Sequence, residues 1–271
     1  MNGSLRTTAF GLIAATLAFG ASTDARADLL AAYSFDNNTV NGTTVADVSG
    51  NGHNGKILPG VTTGQAGKFG ESFSFSGTNS EVNAPAPYTF GSSFSISLWL
   101  NTADLGQSQK YLLLHGTDQS NQNAITFGYV PSTVEFYAPG RTGDDPGPGS
   151  QILLTQANAW SNVVYTYDGT DFRGYLNGTQ VFDHVELFNL NATGPLYLGS
   201  ASQIYPIANF IGRLDDIGLF NAALTSSQVA YLQSHPVATL SSVPEPASFA
   251  MLGVGVLGIA GQARRRPRRS S

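Results

Sequence analysis

Phe94-Ser95-Ile96-Ser97-Leu98 alternates large apolar with small polar side chains, and Trp99 closes the run. Successive side chains of an extended chain point to opposite faces, so this stretch is a half-buried strand of an antiparallel sheet. Working outward, strand-like runs recur at 29–35, 72–75, 111–115, 124–130, 134–137, 162–167, 172–176, 195–198 and 213–220. Asp168-Gly169 and Asn177-Gly178 are predicted type I′ hairpin turns, because such pairs accept positive φ. About ten short strands separated by turns predict a two-sheet sandwich.

One helix is legible. Thr225 and Gln228 form a capping box, with Leu224 and Val229 as the hydrophobic staple beside it. The helix is predicted to run to about residue 234 and to stop before His235-Pro236. Residues 235–243 then read as a linker.

Between Asp28 and Ser234 six basic residues face sixteen acidic ones, a formal charge of −10 against −5 for the whole chain. That surface disfavours nucleic acid as a partner. There is no cysteine, so neither a disulfide framework nor a thiol nucleophile is available.

Both ends carry export addresses. Arg6 precedes an apolar stretch from Ala9 to Ala21, and Ala25-Arg26-Ala27 offers small residues for a cut before Asp28. Residues 1–27 therefore read as a secretory signal peptide. At the other end Pro244-Glu245-Pro246 precedes an apolar run at 249–260, and Arg264, Arg265, Arg266, Arg268 and Arg269 follow. About 14 helical residues reach roughly 21 Å, short of the roughly 30 Å hydrocarbon core, so this transmembrane helix is a thin, transient anchor. The arginines keep the tail cytoplasmic while the bulk is exported. In order and position, residues 244–271 resemble the PEP-CTERM sorting signal. The resemblance implies that exosortase reads Pro244, Glu245 and Pro246, with the inner membrane of a Gram-negative bacterium as a transient anchor. It further implies release to the cell surface or the exopolysaccharide matrix.

Four ordered segments between residues 28 and 234 resemble the concanavalin A-like (laminin G-like) jelly roll. They are Leu30-Ala31-Ala32-Tyr33-Ser34-Phe35-Asp36, the glycine-rich stretch from Asp47 to Gly55, Trp160 leading into Tyr165-Thr166-Tyr167-Asp168-Gly169, and Gly212-Arg213-Leu214-Asp215-Asp216-Ile217-Gly218-Leu219-Phe220. The fold class implied is all-β, a two-sheet antiparallel sandwich with one short C-terminal helix. The first strand and the 213–220 strand are expected side by side, with Trp99 and Trp160 in the core.

The resemblance also implies a structural calcium where the N-terminal loop meets the last long strand. Calcium takes six to eight oxygens, and Asp36, Asp47, Asn51, His53 and Asp215 are the expected set. Asp215 and Asp216 should alternate across the strand, leaving only Asp215 to face the ion. Asp47 and Asn51 as turn-stabilising side chains are the competing reading.

Glucanases of this fold carry closely spaced carboxylates on one strand. The four glutamates between residues 28 and 234, Glu71, Glu81, Glu135 and Glu186, lack that spacing, although Asp183 lies near Glu186. The four histidines show no metal-ligand spacing. The expectation is a non-enzyme with no catalytic residues. The Gly- and Pro-rich loop 139–149 offers Arg141, Asp144 and Asp145 as ligand-binding residues, with Tyr129, Tyr137 or Tyr205 for stacking. The partner expected is an extracellular polysaccharide or surface glycan. A structural or adhesion protein without a sugar site, and a polysaccharide-degrading enzyme, stand as alternatives.

Overall fold

A computed structural model describes residues 27–85, 89–118, 121–128, 130–138, 150–188, 190, 194–200 and 209–242. The signal sequence, the loop carrying Arg141, Asp144 and Asp145, and the sorting segment from 243 onward lie outside the described residues.

The strands, in chain order, are β1 (Leu29–Tyr33), β2 (Val40–Asn41), β3 (Thr44–Val45), β4 (Gly55–Ile57), β5 (Val61–Ala66), β6 (Glu71–Ser76), β7 (Val82–Ala84), β8 (Phe94–Asn101) and β9 (Lys110–Asp118). They continue with β10 (Asn121–Phe127), β11 (Thr133–Tyr137), β12 (Gln151–Leu153), β13 (Ser161–Tyr167), β14 (Asp171–Leu176), β15 (Thr179–Val185), β16 (Leu196–Leu198) and β17 (Ile211–Phe220). One sheet runs β15-β14-β13-β8-β17-β6-β5, with β1 also paired to β17, and the other runs β12-β11-β10-β9-β16-β7-β4-β3-β2. All ladders between them are antiparallel.

The alternation that predicted β8 sets which groups enter the sandwich. Phe94, Ile96, Leu98 and Leu100 are buried in the main core with Phe136, Tyr165 and Phe172. Tyr165 and Phe172 stack at 5.6 Å and 8°, a geometry that adds about 1 kcal/mol beyond area burial. Ser95, Ser97 and Trp99 take the outer face. Trp99 is buried there, beneath the Lys68 ammonium, 4.2 Å from the ring centroid. Trp160, expected in the core, is only half-buried, and the Arg213 guanidinium lies over its ring at 5.3 Å.

The capping box forms as predicted, and helix α1 spans Ser226–Tyr231. It stops short of residue 234, and Tyr231 stacks on His235 at 3.8 Å. The linker expectation is corrected at its centre: Val237–Ser242 form a 3₁₀ helix. Its Val237 and Leu240 join Ala32, Val164, Phe220, Val229 and Leu232 in a second core on the outer face of the first sheet. Buried valine and leucine side chains are the reason it packs instead of trailing.

The two hairpin turns differ. Asn177 and Gly178 both have positive φ, 49° and 77°, as type I′ requires. At the other hairpin only Gly169 does (φ 102°), and the Asp168 carboxylate accepts from the Thr170 and Asp171 N–H groups instead. An Asx-type cap has replaced the I′ turn there.

Candidate functional site

β17 has one continuous partner, β8, on one edge and two successive partners on the other. Ile211–Leu214 pair with β6, and Ile217–Phe220 pair with β1. At the exchange β17 bulges between Asp215 and Gly218, and Asp216 takes a left-handed φ of 49°. A bulge adds a residue and breaks the alternation. Asp215 faces outward opposite Trp99, and Asp216 also reaches the outer face, where its Oδ2 accepts from Val237 N–H at 2.8 Å. The expected alternation of the two aspartates is thereby corrected.

Asp36 arrives at the same place because β1 ends at Tyr33 and the next turn passes through Phe35, buried and left-handed at φ 58°. For a bulky residue that conformation costs on the order of 1–3 kcal/mol. Its ring stacks on Phe73 at 4.2 Å, which holds the strained turn. The loop Gly67-Lys68-Phe69-Gly70 then wraps the carboxylates. Lys68 and Phe69 N–H donate to Asp215 Oδ2 at 2.7 and 3.1 Å, and Glu71 N–H donates to Asp36 Oδ1 at 3.0 Å. A Cβ at Gly67 would stand 2.7 Å from Asp215 Oδ2, and one at Gly70 (φ 54°) would collide with Asp36 Oδ1. Gly70→Ala is therefore expected to cost about 2 kcal/mol or more, read as a lower urea midpoint. Unchanged stability would mean that the loop does not depend on this close approach.

The electrostatics are unbalanced. Asp215 and Asp216 are buried, and Oδ1 of each has no hydrogen-bond partner. Among the described residues no lysine, arginine or histidine forms an ion pair with Asp36, Asp215 or Asp216. Burial, with the Asp36 charge adding to it, pushes the Asp215 carboxyl up to about 7. Burial and the neighbouring Asp215 and Asp36 charges push Asp216 up to about 8. Buried carboxylates without a counter-charge must stay protonated or hold a cation. The oxygens left without a partner, Asp215 Oδ1 and Asp216 Oδ1, are carboxylate oxygens, the donor type a hard divalent ion takes. Among the described residues, no three or more carboxylate or imidazole groups already close into a metal centre.

The five residues expected around one ion fall into two groups. Asp36 and Asp215 meet as described. Asp47, Asn51 and His53 lie on the opposite edge of β1, where Asp47 Oδ1 accepts from Ala32 and Ser49 N–H, both at 2.9 Å. Its Oδ2 accepts from Ser49 Oγ (2.8 Å) and His53 N–H (3.0 Å). Asn51 Nδ2 donates to the Leu29 and Leu30 carbonyls at 2.8 and 3.1 Å, and His53 Nδ1 lies 3.0 Å from Leu30 O. The loop closes β1's free edge, with Asp47's acceptors occupied. Sequence reasoning set Asp216 aside on the expected alternation and missed Glu71 and the Gly67–Gly70 wrap; the Asp-Asp pair inside an otherwise apolar strand was the available signal.

A second feature lies on the outer face of the other sheet. One row crosses it as Tyr137, Ala124, Leu114, Tyr197, Asn83 and Lys56. Tyr197, Leu114 and Ala124 pack together with Tyr111 and Tyr137 at the edge of the cluster. Asp183 and His184, by contrast, pair with Arg173 (3.0 Å) and Glu186 (3.3 Å) in surface contacts.

Comparisons place these features in context. No curated protein matches the chain. The binding domain of Paraclostridial Mosquitocidal Protein 1 superposes with a TM-score of 0.55 at 18% identity, over 76% of this chain and 51% of that one. The chain thus spans about half of that structure's length. Domain 4 of AbnA, a GH43 extracellular arabinanase from Geobacillus stearothermophilus solved with arabinotriose, gives 0.52 at 22% identity over 77% of this chain and 99% of that one. A Trypanosoma rangeli sialidase gives 0.58 at 14% identity over 76% of this chain and 32% of that one. Such likenesses speak to fold alone. The PEP-CTERM protein-sorting motif matches residues 242–266, which supports export through a transiently membrane-anchored C-terminus. Residues 76–230, more than half the chain, match the Laminin_G_3 family, and the chain belongs to the concanavalin A-like lectin/glucanases superfamily.

Proposed function

We propose that this is an exosortase-processed protein of the cell surface or exopolysaccharide matrix whose jelly roll binds extracellular carbohydrate without cleaving it, on a scaffold stiffened by calcium. The observation that carries the reading is the pair of part-exposed tyrosines, Tyr111 and Tyr137, at the margin of the buried Leu114, Ala124 and Tyr197 cluster on an outer sheet face. Tyr137 and Tyr197 stand on one register row with Leu114 and Ala124 between them, and Tyr111 packs alongside. Partly apolar faces with hydroxyl handles are how aromatic side chains meet sugar rings. The loop with Arg141, Asp144 and Asp145 follows directly from β11 in the chain, beyond Tyr137. Domain 4 of AbnA, similar in fold, was solved with a short glycan.

The non-catalytic part rests on distance. The two glutamates of this face, Glu135 on β11 and Glu81 just ahead of β7, are four strand spacings apart. That is about 19 Å, whereas glycosidase pairs stand about 5–10 Å apart. Calcium at Asp36 and Asp215, with Asp216 adjacent, is supported by the unpartnered buried oxygens of Asp215 and Asp216.

The test is retention of the protein on the host's own exopolysaccharide and on a glycan panel, with calcium and then with chelator. Saturable, competable binding that falls roughly tenfold in Tyr137→Ala or Tyr111→Ala is expected, since one ring stacked on an aromatic is worth about 1–3 kcal/mol. Silence across the panel from a folded protein would transfer the reading to a structural matrix role. New reducing ends would make it an enzyme.

A further inference from the structure

An asparagine followed by glycine is open to attack from its own backbone, because glycine has no side chain to shield its amide nitrogen. Four such pairs lie among the described residues: Asn41-Gly42, Asn51-Gly52, Asn54-Gly55 and Asn177-Gly178. In three of them the asparagine side chain is already engaged. Asn51 Nδ2 donates to the Leu29 and Leu30 carbonyls at 2.8 and 3.1 Å. Asn54 Oδ1 accepts from Asp47 N–H, and Asn177 Oδ1 from Asn162 N–H, both at 2.9 Å. Gly55 is also buried in β4, where a Cβ would stand 2.5 Å from Val82.

Asn41 differs on each count. It ends β2 and pairs with Thr44 across the hairpin, and residues 41–44 are all exposed. Among the described residues its side chain makes no hydrogen bond. Gly42 turns the chain at φ 61°, with nothing within 4 Å of where a Cβ would stand. In a two-residue hairpin the flanking pair closes the turn, which leaves the first turn amide unbonded. Gly42 N–H accordingly donates to no backbone carbonyl among the described residues. The nitrogen that attacks and the carboxamide it attacks are both unoccupied.

We infer that Asn41 is a self-modification site, where the folded protein loses an amide and gains a carboxylate. Gly42 N attacks Asn41 Cγ and forms the new N–Cγ bond. The Cγ–Nδ2 bond breaks, and Nδ2 leaves as ammonia with the Gly42 N–H proton. Water then adds to either carbonyl of the cyclic imide, giving aspartate or isoaspartate at position 41. The product places a negative charge on an edge strand. Its isoaspartate form also adds a methylene to the backbone of a hairpin joined by the pairs Val40–Val45 and Asn41–Thr44. Chains that persist longest carry the change most.

The test incubates the full-length protein at mildly alkaline pH, folded and in urea, with peptide mapping by mass spectrometry at intervals. Unfolded, the four pairs share one local chemistry and lose their amides at comparable rates. Folded, Asn41 is expected to keep its unfolded rate. Asn51, Asn54 and Asn177 are expected to slow by about fivefold or more, since each must first release a hydrogen bond. Enzymatic methylation of isoaspartate in the position-41 peptide confirms the route through the imide. All four pairs are read in one sample, so no variant has to fold. Amide loss at Asn41 no faster than at the other three in the folded protein, or aspartate there without isoaspartate, would overturn the inference.

Discussion

Calcium is expected to raise the melting temperature of this protein most at pH 8 and least at pH 5. In the unfolded chain the Asp215 and Asp216 carboxyls titrate near about 4. Folded and without a cation they titrate at about 7 and about 8, chiefly because both are buried. Between those limits the folded chain holds protons that the unfolded chain has released. Stability of the chelated protein therefore falls as pH rises from about 4 to about 8, the reverse of an ordinary salt-bridged aspartate. A tenfold difference in proton affinity between the folded and unfolded chains corresponds to about 1.4 kcal/mol. The loss is thus of the order of several kcal/mol, or about 10 °C for a domain of this size. A bound divalent ion replaces those protons and restores stability at neutral pH, adding about 2.7 kcal/mol at a hundredfold excess over Kd. Melting curves from pH 5 to 8, with calcium and with chelator, check this. Coincident curves at pH 8 would remove the ion. Asp215→Asn should shrink the pH dependence to the part that Asp216 carries and lose the calcium response together.

The parts of this fold that were legible in the sequence are those that carry their own period. β8, β13 and β17 are long enough to show alternation or an apolar run, and the helix start carried its cap at Thr225 and Gln228. The strands that escaped are β2, β3, β4, β7 and β12, two or three residues each, where no period can appear. β5 and β15 escaped for another reason: the Thr, Gly, Gln and Asp residues interspersed along them read as turn and loop. Of the candidate site, the pairing of β1 with β17 was foreseen, and with it the meeting of Asp36 and Asp215. Nothing in the composition announces the bulge that turns Asp216 to the same face. Nor does local sequence say that Asp47, six residues before His53, will commit its oxygens to the loop's own N–H groups. Those outcomes depend on which edge of β1 each loop reaches.

Ending the chain after Ser234, where the helix was predicted to stop, is expected to cost about 5 kcal/mol relative to ending it after Ser242. Val237 and Leu240 are buried against Ala32, Phe220 and Val229, and each such side chain contributes about 1.5–3 kcal/mol. The truncation also removes the Val237 N–H from Asp216 Oδ2. Asp216 Oδ1 has no partner already, so a buried carboxyl would be left without a single hydrogen bond, a further cost of about 1–3 kcal/mol. Against a typical total of about 5–15 kcal/mol, the loss is a third or more, and urea titration of the two chains measures it. Equal midpoints would show that 237–242 is an appendage after all. The same six residues decide how the fold meets its sorting signal. Ala27, at the start of the described chain, packs in the same cluster as Val237 and Leu240, so the domain's first and last residues lie at one end. Only Val243 separates the folded Ser242 from Pro244. At about 3.5 Å per residue, a processing enzyme acting at Pro244-Glu245-Pro246 must work against the surface of the folded domain or first undock 237–242. Weakening that docking with Val237→Ala should therefore speed processing while lowering the melting temperature, two opposite readouts of one contact.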